Sequence, residues 1–201
     1  MARVGALVLF PGAGSSRDHS SLLAIEASVA PLPVDRVDFP YRIAGRKAPD
    51  RPAVLLASVR DAAAAMAKRA RVRPARVVLG GRSMGGRMGA MAVAGTPDLD
   101  GAPPLAARAL VLISYPLHPP GKPDTLRVEH FSRLHVPCLF VHGTRDPFGS
   151  PAELERWCKE LKSALGCGGA VDGAVIVLQG DLRKRLEAVL AARGVRKITV
   201  G

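Results

Sequence analysis

The 201-residue sequence predicts one α/β domain, built on a single doubly wound and mostly parallel sheet of about six strands. Two observations predict this fold class. Short apolar runs alternate with longer amphipathic segments, which is the pattern of parallel strands joined by helices. A hydrophobic content of 48% is enough for a buried core and excludes a disordered chain. Because no linker or internal repeat interrupts residues 1–201, we expect a single domain.

The first half of the chain carries three predicted strands, each followed by a helix. The strands cover Val4–Phe10, Val34–Phe39 and Arg76–Leu79, and the helices cover His19–Ala30, a long segment after Asp50 and a small-residue stretch ending near Ala94. We expect Asp50 to cap the long helix, because its carboxylate can accept a hydrogen bond from a free backbone N–H. The buried face of that helix is predicted from residues at helical spacing, namely Leu55, Val59, Ala62 and Met66.

The second half continues the same alternation. Its predicted strands are Ala109–Ser114, Cys138–His142 and Val175–Leu178, and its predicted helices begin at Ser150 and at Asp181. The Ser150 helix has the clearest start, with Pro151 in its first turn and Glu153 as the capping-box acid. Ligands of such sheets bind beyond the carboxyl ends of the strands, so we expect the chemistry in the loops that follow strands.

The chain is basic, with 29 Lys and Arg against 17 Asp and Glu and a formal net charge of +12. Most of these basic residues are arginine, beside abundant Ala, Gly and Pro, which is a composition that GC-rich genomes also produce. The clusters Lys68–Arg76 and Arg183–Lys197 are typical of solvated helix ends. They lack the interleaved aromatic residues of single-strand-binding surfaces, so no nucleic-acid partner is expected.

The sequence does not support a membrane protein, a metal-binding protein or a disulfide-stabilised protein. No apolar run approaches the ~20 residues that span a bilayer, and the first residues predict a buried strand and not a signal peptide. Cys138, Cys158 and Cys167 are odd in number and lack CxxC spacing, which favours a reducing cytoplasm. Neither an HxxxH motif nor a carboxylate cluster is present, so no metal or other cofactor is expected.

Gly81–Gly85 has the form G-x-S-x-G and lies between a predicted strand and a predicted helix. In that position the central Ser83 would occupy a strained turn, with its hydroxyl above the sheet edge and the Met84 N–H ready to hold an oxyanion. We expect Gly86 and Gly89 to continue the small face that packs on the sheet. The alternative is a glycine-rich turn that contains an incidental serine.

Two further loops follow predicted strands. In Pro11–Gly14, the N–H of Ala13 could supply a second oxyanion donor, although an ordinary strand-to-helix loop has the same composition. In Gly143–Gly149, Asp146 could orient a catalytic imidazole, and its alternative is a turn-forming role.

Between about Val4 and Gln179 the sequence resembles compact α/β-hydrolases of the dienelactone-hydrolase-like group. It is most similar to the branch that contains testis-expressed protein 30 and regulatory subunit 3 of the nonspecific-lethal histone-acetyltransferase complex. The resemblance rests on LVLFPGAG, VVLGGRSMGGR, LISYPLHPPGKPD and HFSRLHVPCLFVHGTRDPFG. It implies a minimal α/β-hydrolase fold without a lid, a Ser83 nucleophile, an Asp146 acid, an oxyanion hole formed by Ala13 and Met84, and a small ester-like substrate.

The sequence departs from this family at two places. Pro11 stands where relatives usually carry a histidine, and the segment after Gln179 lacks the Gly-Asp-His of relatives. No histidine follows Asp146, although the triad His of the family comes after the last strand. His118 is the candidate surrogate base, with pocket shaping as its alternative role, and a surface or structural role is expected for His19, His130, His135 and His142.

The sequence therefore supports a serine hydrolase that acts on a small ester-like substrate, with the missing triad histidine as the open question. The alternative is a non-catalytic interaction module that keeps the fold. A third hypothesis is a nucleic-acid binder that uses both basic clusters. The atypical tail 180–201 also fits a frameshift, which rereading the coding DNA near Gln179 would reveal.

Overall fold

The computed structural model describes residues 3–119, 121–122, 125–141, 155, 169–172 and 175–178. Within them, strands and helices alternate from β1 to α4 before the last strands follow. The strands are β1 (Ala6–Phe10), β2 (Val34–Arg36), β3 (Val77–Arg82), β4 (Ala109–Ile113), β5 (Cys138–Val141), β6 (Gly169–Asp172) and β7 (Val175–Leu178). The helices are α1 (Ser20–Ser28), α2 (Pro40–Ile43), α3 (Pro52–Arg69) and α4 (Met84–Ala94).

The main sheet has five strands in the order β2-β1-β3-β4-β5. β1 pairs in parallel with both β2 and β3, and β3 pairs in parallel with β4. Phe10 lies opposite Gly81, so the carboxyl ends of β1 and β3 are neighbours. After β1 the chain places β2 on one side of it and β3 on the other, so the sheet has a topological switch point between β1 and β3. Open α/β sheets bind ligands at such a switch point. The predicted fold class is confirmed, with five strands in the sheet.

The chain forms two compact units, one comprising Met1–Ile113 with Val136–Leu139 and the other Ser114–His135 with Phe140–Gly201. The first unit has its core on the central strands, since β1 is buried along its whole length. Leu7 and Leu9 pack with Leu22 of α1, while alternate side chains of the strand point to the opposite face. The predicted buried face of α3 is confirmed at Leu55, Val59 and Met66; it is completed by Leu56, Ala63 and Ala67, with Ala62 half-buried.

An aromatic cluster forms the described core of the second unit. The ring of Tyr115 lies 5.2 Å from that of Phe131 and 5.9 Å from that of Phe140. Its hydroxyl donates to the Arg127 carbonyl at 2.9 Å and lies 3.2 Å from Nε2 of the buried His130. This confirms the structural role expected for His130.

Two local predictions are wrong. Asp50 does not cap α3: the N-cap residue is Arg51, without a side-chain hydrogen bond, and the Asp50 carboxylate pairs with Arg46 at 2.7 Å. The strand Val175–Leu178 does not extend the parallel sheet but pairs antiparallel with β6, which was not predicted. The predicted helices after Ser150 and after Asp181 lie outside the described residues. None of the described helices is long and apolar enough to cross a membrane.

Candidate active site

Ser83 links β3 to α4 with a φ of 50° and a ψ of −116°. A residue with a side chain in such a conformation carries about 1–3 kcal/mol of strain. Two backbone hydrogen bonds hold it there, from Ser83 N–H to the Ile113 carbonyl (2.8 Å) and from Arg87 N–H to the Ser83 carbonyl (3.1 Å). The strand-to-helix placement predicted for Ser83 is confirmed, and its backbone is strained as the prediction expected.

The glycines around Ser83 are required by close backbone contacts. A Cβ on Gly81 would lie 2.6 Å from the Phe10 carbonyl oxygen, and one on Gly85 would lie 2.6 Å from the Pro11 carbonyl oxygen. A Cβ on Gly86 would meet the Gly81 carbonyl oxygen at 2.7 Å. These distances are too short for any side chain, so the turn packs directly on the end of β1. Gly89 is buried in α4 as predicted, but a Cβ there would meet no atom of the described residues within 4 Å.

The loop Pro11–Gly14 passes directly beside Ser83. A Cβ on Gly12 would lie 3.4 Å from the Ser83 Cβ and 3.5 Å from the Ser15 Oγ. The Gly12 carbonyl accepts hydrogen bonds from the Ser15 N–H at 3.1 Å and from the Ser15 hydroxyl at 3.3 Å. The switch point of the sheet therefore brings together the two segments that the sequence indicated.

The side chain of Tyr41 anchors the loop Pro11–Gly14 through a hydrogen bond. The sequence analysis did not identify this residue. The Tyr41 hydroxyl donates to the Ala13 carbonyl at 2.8 Å. Its ring is fully buried and stacks on Phe39, with 6.4 Å between ring centroids. Burial raises the pKa of the Tyr41 phenol, which keeps the donor protonated. The sequence shows only that an aromatic residue follows the second strand. It does not indicate that the hydroxyl of this residue bonds to a carbonyl 28 positions earlier.

Two backbone donors at this site are unused. In the part of the chain that the structure describes, the N–H groups of Ala13 and Met84 have no hydrogen-bond acceptor. Met84 is the first residue of α4, where the helix offers its N–H no internal partner. Free amides at a strained strand-to-helix turn can stabilise a developing oxyanion.

The remaining candidate residues have varied environments. Asp146 and His142 lie outside the described residues. His118 is buried in the second unit, with Nδ1 at 2.8 Å from the Pro119 carbonyl oxygen. Since a carbonyl only accepts, Nδ1 is the donor of this hydrogen bond. His19 is the N-cap of α1, where its Nδ1 accepts from Ser21 N–H, as expected for a helix start. His135 is exposed.

The described residues give little support for a cysteine nucleophile or for a metal site. Burial raises the pKa of the Cys138 thiol to about 12, so this cysteine is protonated and unreactive near neutral pH. Its thiol lies 3.4 Å from the Val136 carbonyl oxygen. Among the described residues, no three His, Cys, Asp or Glu side chains form a metal-binding group.

A parallel sheet with a strained serine and free backbone amides at its switch point defines the class of α/β-hydrolase-fold proteins. The family model described as alpha/beta hydrolase domain matches residues 3–173. The chain belongs to this family.

Solved structures share the fold at low sequence identity. A Klebsiella pneumoniae protein assigned as a dienelactone hydrolase superposes with a TM-score of 0.52 at 15% identity, covering 81% of this chain and 70% of that one. Esterase 2 of Thermogutta terrifontis, phosphorylated by paraoxon, gives a TM-score of 0.51 at 20% identity, covering 96% of this chain and 84% of that one.

Curated relatives match a short segment with higher identity. The uncharacterized protein YciH of Escherichia coli is 49% identical over 45 residues, which are 22% of this chain and 42% of that protein. The translation factor SUI1 homolog of Sulfurisphaera tokodaii is 46% identical over 46 residues, which are 23% of this chain and 46% of that protein. The chain thus spans less than half the length of these curated relatives.

Proposed function

We propose that the protein is a serine hydrolase that cleaves a small ester-like substrate with Ser83 as the nucleophile. The observation that carries the proposal is the strained backbone of Ser83 beside two unused amide donors, Ala13 N–H and Met84 N–H. Backbone strain persists only where the surrounding structure maintains it, and it concentrates at functional sites. Membership of the alpha/beta hydrolase domain family agrees with this chemistry.

In the proposed reaction the Ser83 oxygen attacks the ester carbonyl carbon and its proton passes to a base. The amides of Ala13 and Met84 hold the resulting oxyanion, whose collapse expels the alcohol and leaves an acyl-serine ester. The base returns its proton to the alcohol, and water then releases the acid by the same sequence of steps. Asp146 is proposed as the orienting acid and His118 as the surrogate base, with pocket shaping as the alternative role of His118; both proposals rest on the sequence.

We further propose that the chain belongs to the family branch that contains testis-expressed protein 30. This finer placement rests on the motifs GGRSMGGR and SYPLHPPGKP. It makes a non-catalytic interaction module the alternative function. A cytoplasmic location is supported by cysteines without disulfide spacing, of which Cys138 is a free thiol.

A fluorophosphonate probe tests the nucleophile. Labelling is expected in the wild type and in Ser15→Ala, whose hydroxyl lies on the same loop but is bonded to the Gly12 carbonyl. It is expected to vanish in Ser83→Ala. Folded wild-type protein that is not labelled, or Ser83→Ala that is labelled equally, contradicts the proposal. His118→Ala should slow labelling by orders of magnitude, whereas the exposed His135→Ala should not.

The short curated matches favour a second candidate function, a role in translation for part of the chain. We place the match in the carboxyl-terminal part, because β6 and β7 pair antiparallel there instead of extending the hydrolase sheet. The basic cluster Arg183–Lys197 lies in the same region and would suit ribosomal RNA.

Co-sedimentation with ribosomal subunits at increasing salt tests this second candidate. Replacing Arg183, Lys184 and Arg185 with Gln should abolish co-sedimentation. The matched control removes three charges from the other cluster by replacing Lys68, Arg71 and Arg73 with Gln, and it should retain binding. Equal loss in both variants, or no co-sedimentation of the wild type at low salt, contradicts this candidate.

A further inference from the structure

Two arginines flank Ser83, and neither has a counter-ion among the residues that the structure describes. Arg82 is the last residue of β3, and Arg87 lies one helical turn after Ser83 in α4. Within the described ranges, neither guanidinium has a hydrogen bond or an ion pair. Both side chains are half-buried, and the Nε of Arg87 is fully buried without a partner. A partly desolvated guanidinium normally has a paired anion, because its lost hydration is otherwise uncompensated.

Other arginines of the same unit do have carboxylate partners. Arg36 pairs with Asp18 at 2.8 Å and with Glu26 at 2.6 Å, and Arg69 pairs with Asp35 at 3.0 Å. Arg42 and Arg60 are also half-buried without a carboxylate partner among the described residues, so Arg82 and Arg87 are distinguished by their position next to the proposed nucleophile.

Both arginines lie close to Ser83, the proposed nucleophile. A Cβ on Gly12 would lie 3.4 Å from Nη1 of Arg82 and 3.4 Å from the Cβ of Ser83, so this guanidinium and the serine border the same point of the loop. Arg87 is tied to the same turn through its backbone, since its N–H donates to the Ser83 carbonyl at 3.1 Å.

We propose that Arg82 and Arg87 select an ester whose alcohol part carries a phosphate group. The inference rests on the proposed hydrolase function and names its substrate class. Two positive charges without a counter-ion in the described part of the chain match a phosphate monoester, which carries close to two negative charges near neutral pH, better than a single carboxylate. Guanidinium groups also bind phosphate oxygens in a bidentate manner. Ser83 would attack the acyl carbon, the ester C–O bond would break, and the phosphorylated alcohol would leave with a proton from the base.

Three esters that release acetate test the proposal: 1-acetylglycerol 3-phosphate, its neutral counterpart glycerol monoacetate, and the carboxylate ester 3-acetoxypropanoate. The wild type should favour the phosphate ester in kcat/KM. The ratio of phosphate to neutral ester should fall about tenfold or more in Arg82→Gln and in Arg87→Gln. Arg82→Lys should recover part of the ratio. The matched control is Arg73→Gln, which removes the same charge from an exposed residue near the opposite end of β3 and should leave the ratio unchanged.

A ratio unchanged in both Gln variants, or an equal preference for the carboxylate ester, overturns the phosphate assignment while leaving the hydrolase intact. If no ester is cleaved, the hydrolase proposal fails, and binding of glycerol 3-phosphate followed by phosphorus NMR decides the anion site. Binding to the wild type that weakens in folded Arg82→Gln supports the site. Absence of binding to the wild type overturns it.

Discussion

The hydroxyl of Tyr41 donates a 2.8 Å hydrogen bond to the carbonyl oxygen of Ala13. This bond joins the short helix α2 to the loop that borders Ser83. Because the Tyr41 ring is fully buried, its hydroxyl has a fixed position and fixes the Ala13–Gly14 peptide, which adjoins the peptide that carries the Ala13 N–H. The orientation of the proposed oxyanion donor at Ala13 thus depends on a side chain from another part of the sequence.

Tyr41→Phe removes this bond and keeps the packed ring. We expect a loss of about 1 kcal/mol in the free energy of unfolding and a fall of about tenfold in ester hydrolysis, because the loop loses its anchor. Denaturant unfolding and initial rates measure the two effects. The matched control is Tyr115→Phe, which removes a 2.9 Å bond to the Arg127 carbonyl in the other unit. We expect Tyr115→Phe to lower the free energy of unfolding by a similar amount. An equal loss in the rate of ester hydrolysis in both variants would refute the anchoring role of Tyr41.

The buried phenol of Tyr41 also predicts the response to alkaline pH. Burial raises its pKa above the ordinary value of 10.0, against a smaller lowering by Arg42. Above pH ~10 the unfolded chain loses this proton while the folded chain keeps it, so the contribution is present below that pH and is lost as the pH rises through the folded pKa. Unfolding free energies measured between pH 9 and 11 should fall more steeply for the wild type than for Tyr41→Phe. Identical slopes would exclude Tyr41 as the group responsible.

Two glycines of α4 should respond in opposite ways to alanine. Gly85→Ala places a methyl group against the backbone carbonyls of Phe10 and Pro11, so we expect a loss of about 3 kcal/mol and no hydrolysis. In Gly89→Ala no atom of the described residues lies within 4 Å of the new methyl group, so this variant should gain up to about 1 kcal/mol from helix propensity. Thermal unfolding of both variants tests the pair, and a stable, active Gly85→Ala variant would show that the turn is looser than described.

Strain at Ser83 predicts a variant that gains stability and loses activity. Ser83→Gly relieves the positive φ of 50°, and we expect a gain of about 1 kcal/mol together with complete loss of hydrolysis. Arg71→Gly is the control, since Arg71 has a φ of 53° after the end of α3 and no proposed role. It should gain stability by a similar amount while retaining activity. Destabilisation of Ser83→Gly in chemical unfolding would argue against stored strain.

Local patterns in the sequence predicted the part of the site that local geometry builds. The motif Gly81–Gly85 identified the strained turn because only residues without a side chain fit between β3, α4 and the end of β1. Pro11–Gly14 was found for a related reason, since parallel strands bring their carboxyl ends to one edge of the sheet. In both cases a few adjacent residues carry the whole constraint.

The particular partner of a side chain or a strand could not be predicted in this way. Asp50 was expected to be a helix cap, but its carboxylate pairs with Arg46 and the helix begins after Arg51 instead. Val175–Leu178 has the composition of a parallel strand, yet it pairs with the preceding Gly169–Asp172. An apolar run predicts a strand without specifying its neighbour, because strand composition is compatible with either pairing.

The sequence by itself determined the α/β class, the alternation of elements and the position of Ser83 between a strand and a helix, since these depend on periodicity and on adjacent residues. The tertiary structure decided that Tyr41 anchors Ala13, that Arg82 lies beside Gly12 and Ser83, and that the Arg82 and Arg87 guanidiniums have no carboxylate partner among the described residues. These relationships depend on which side chains are in contact, and the packing of the whole sheet determines those contacts.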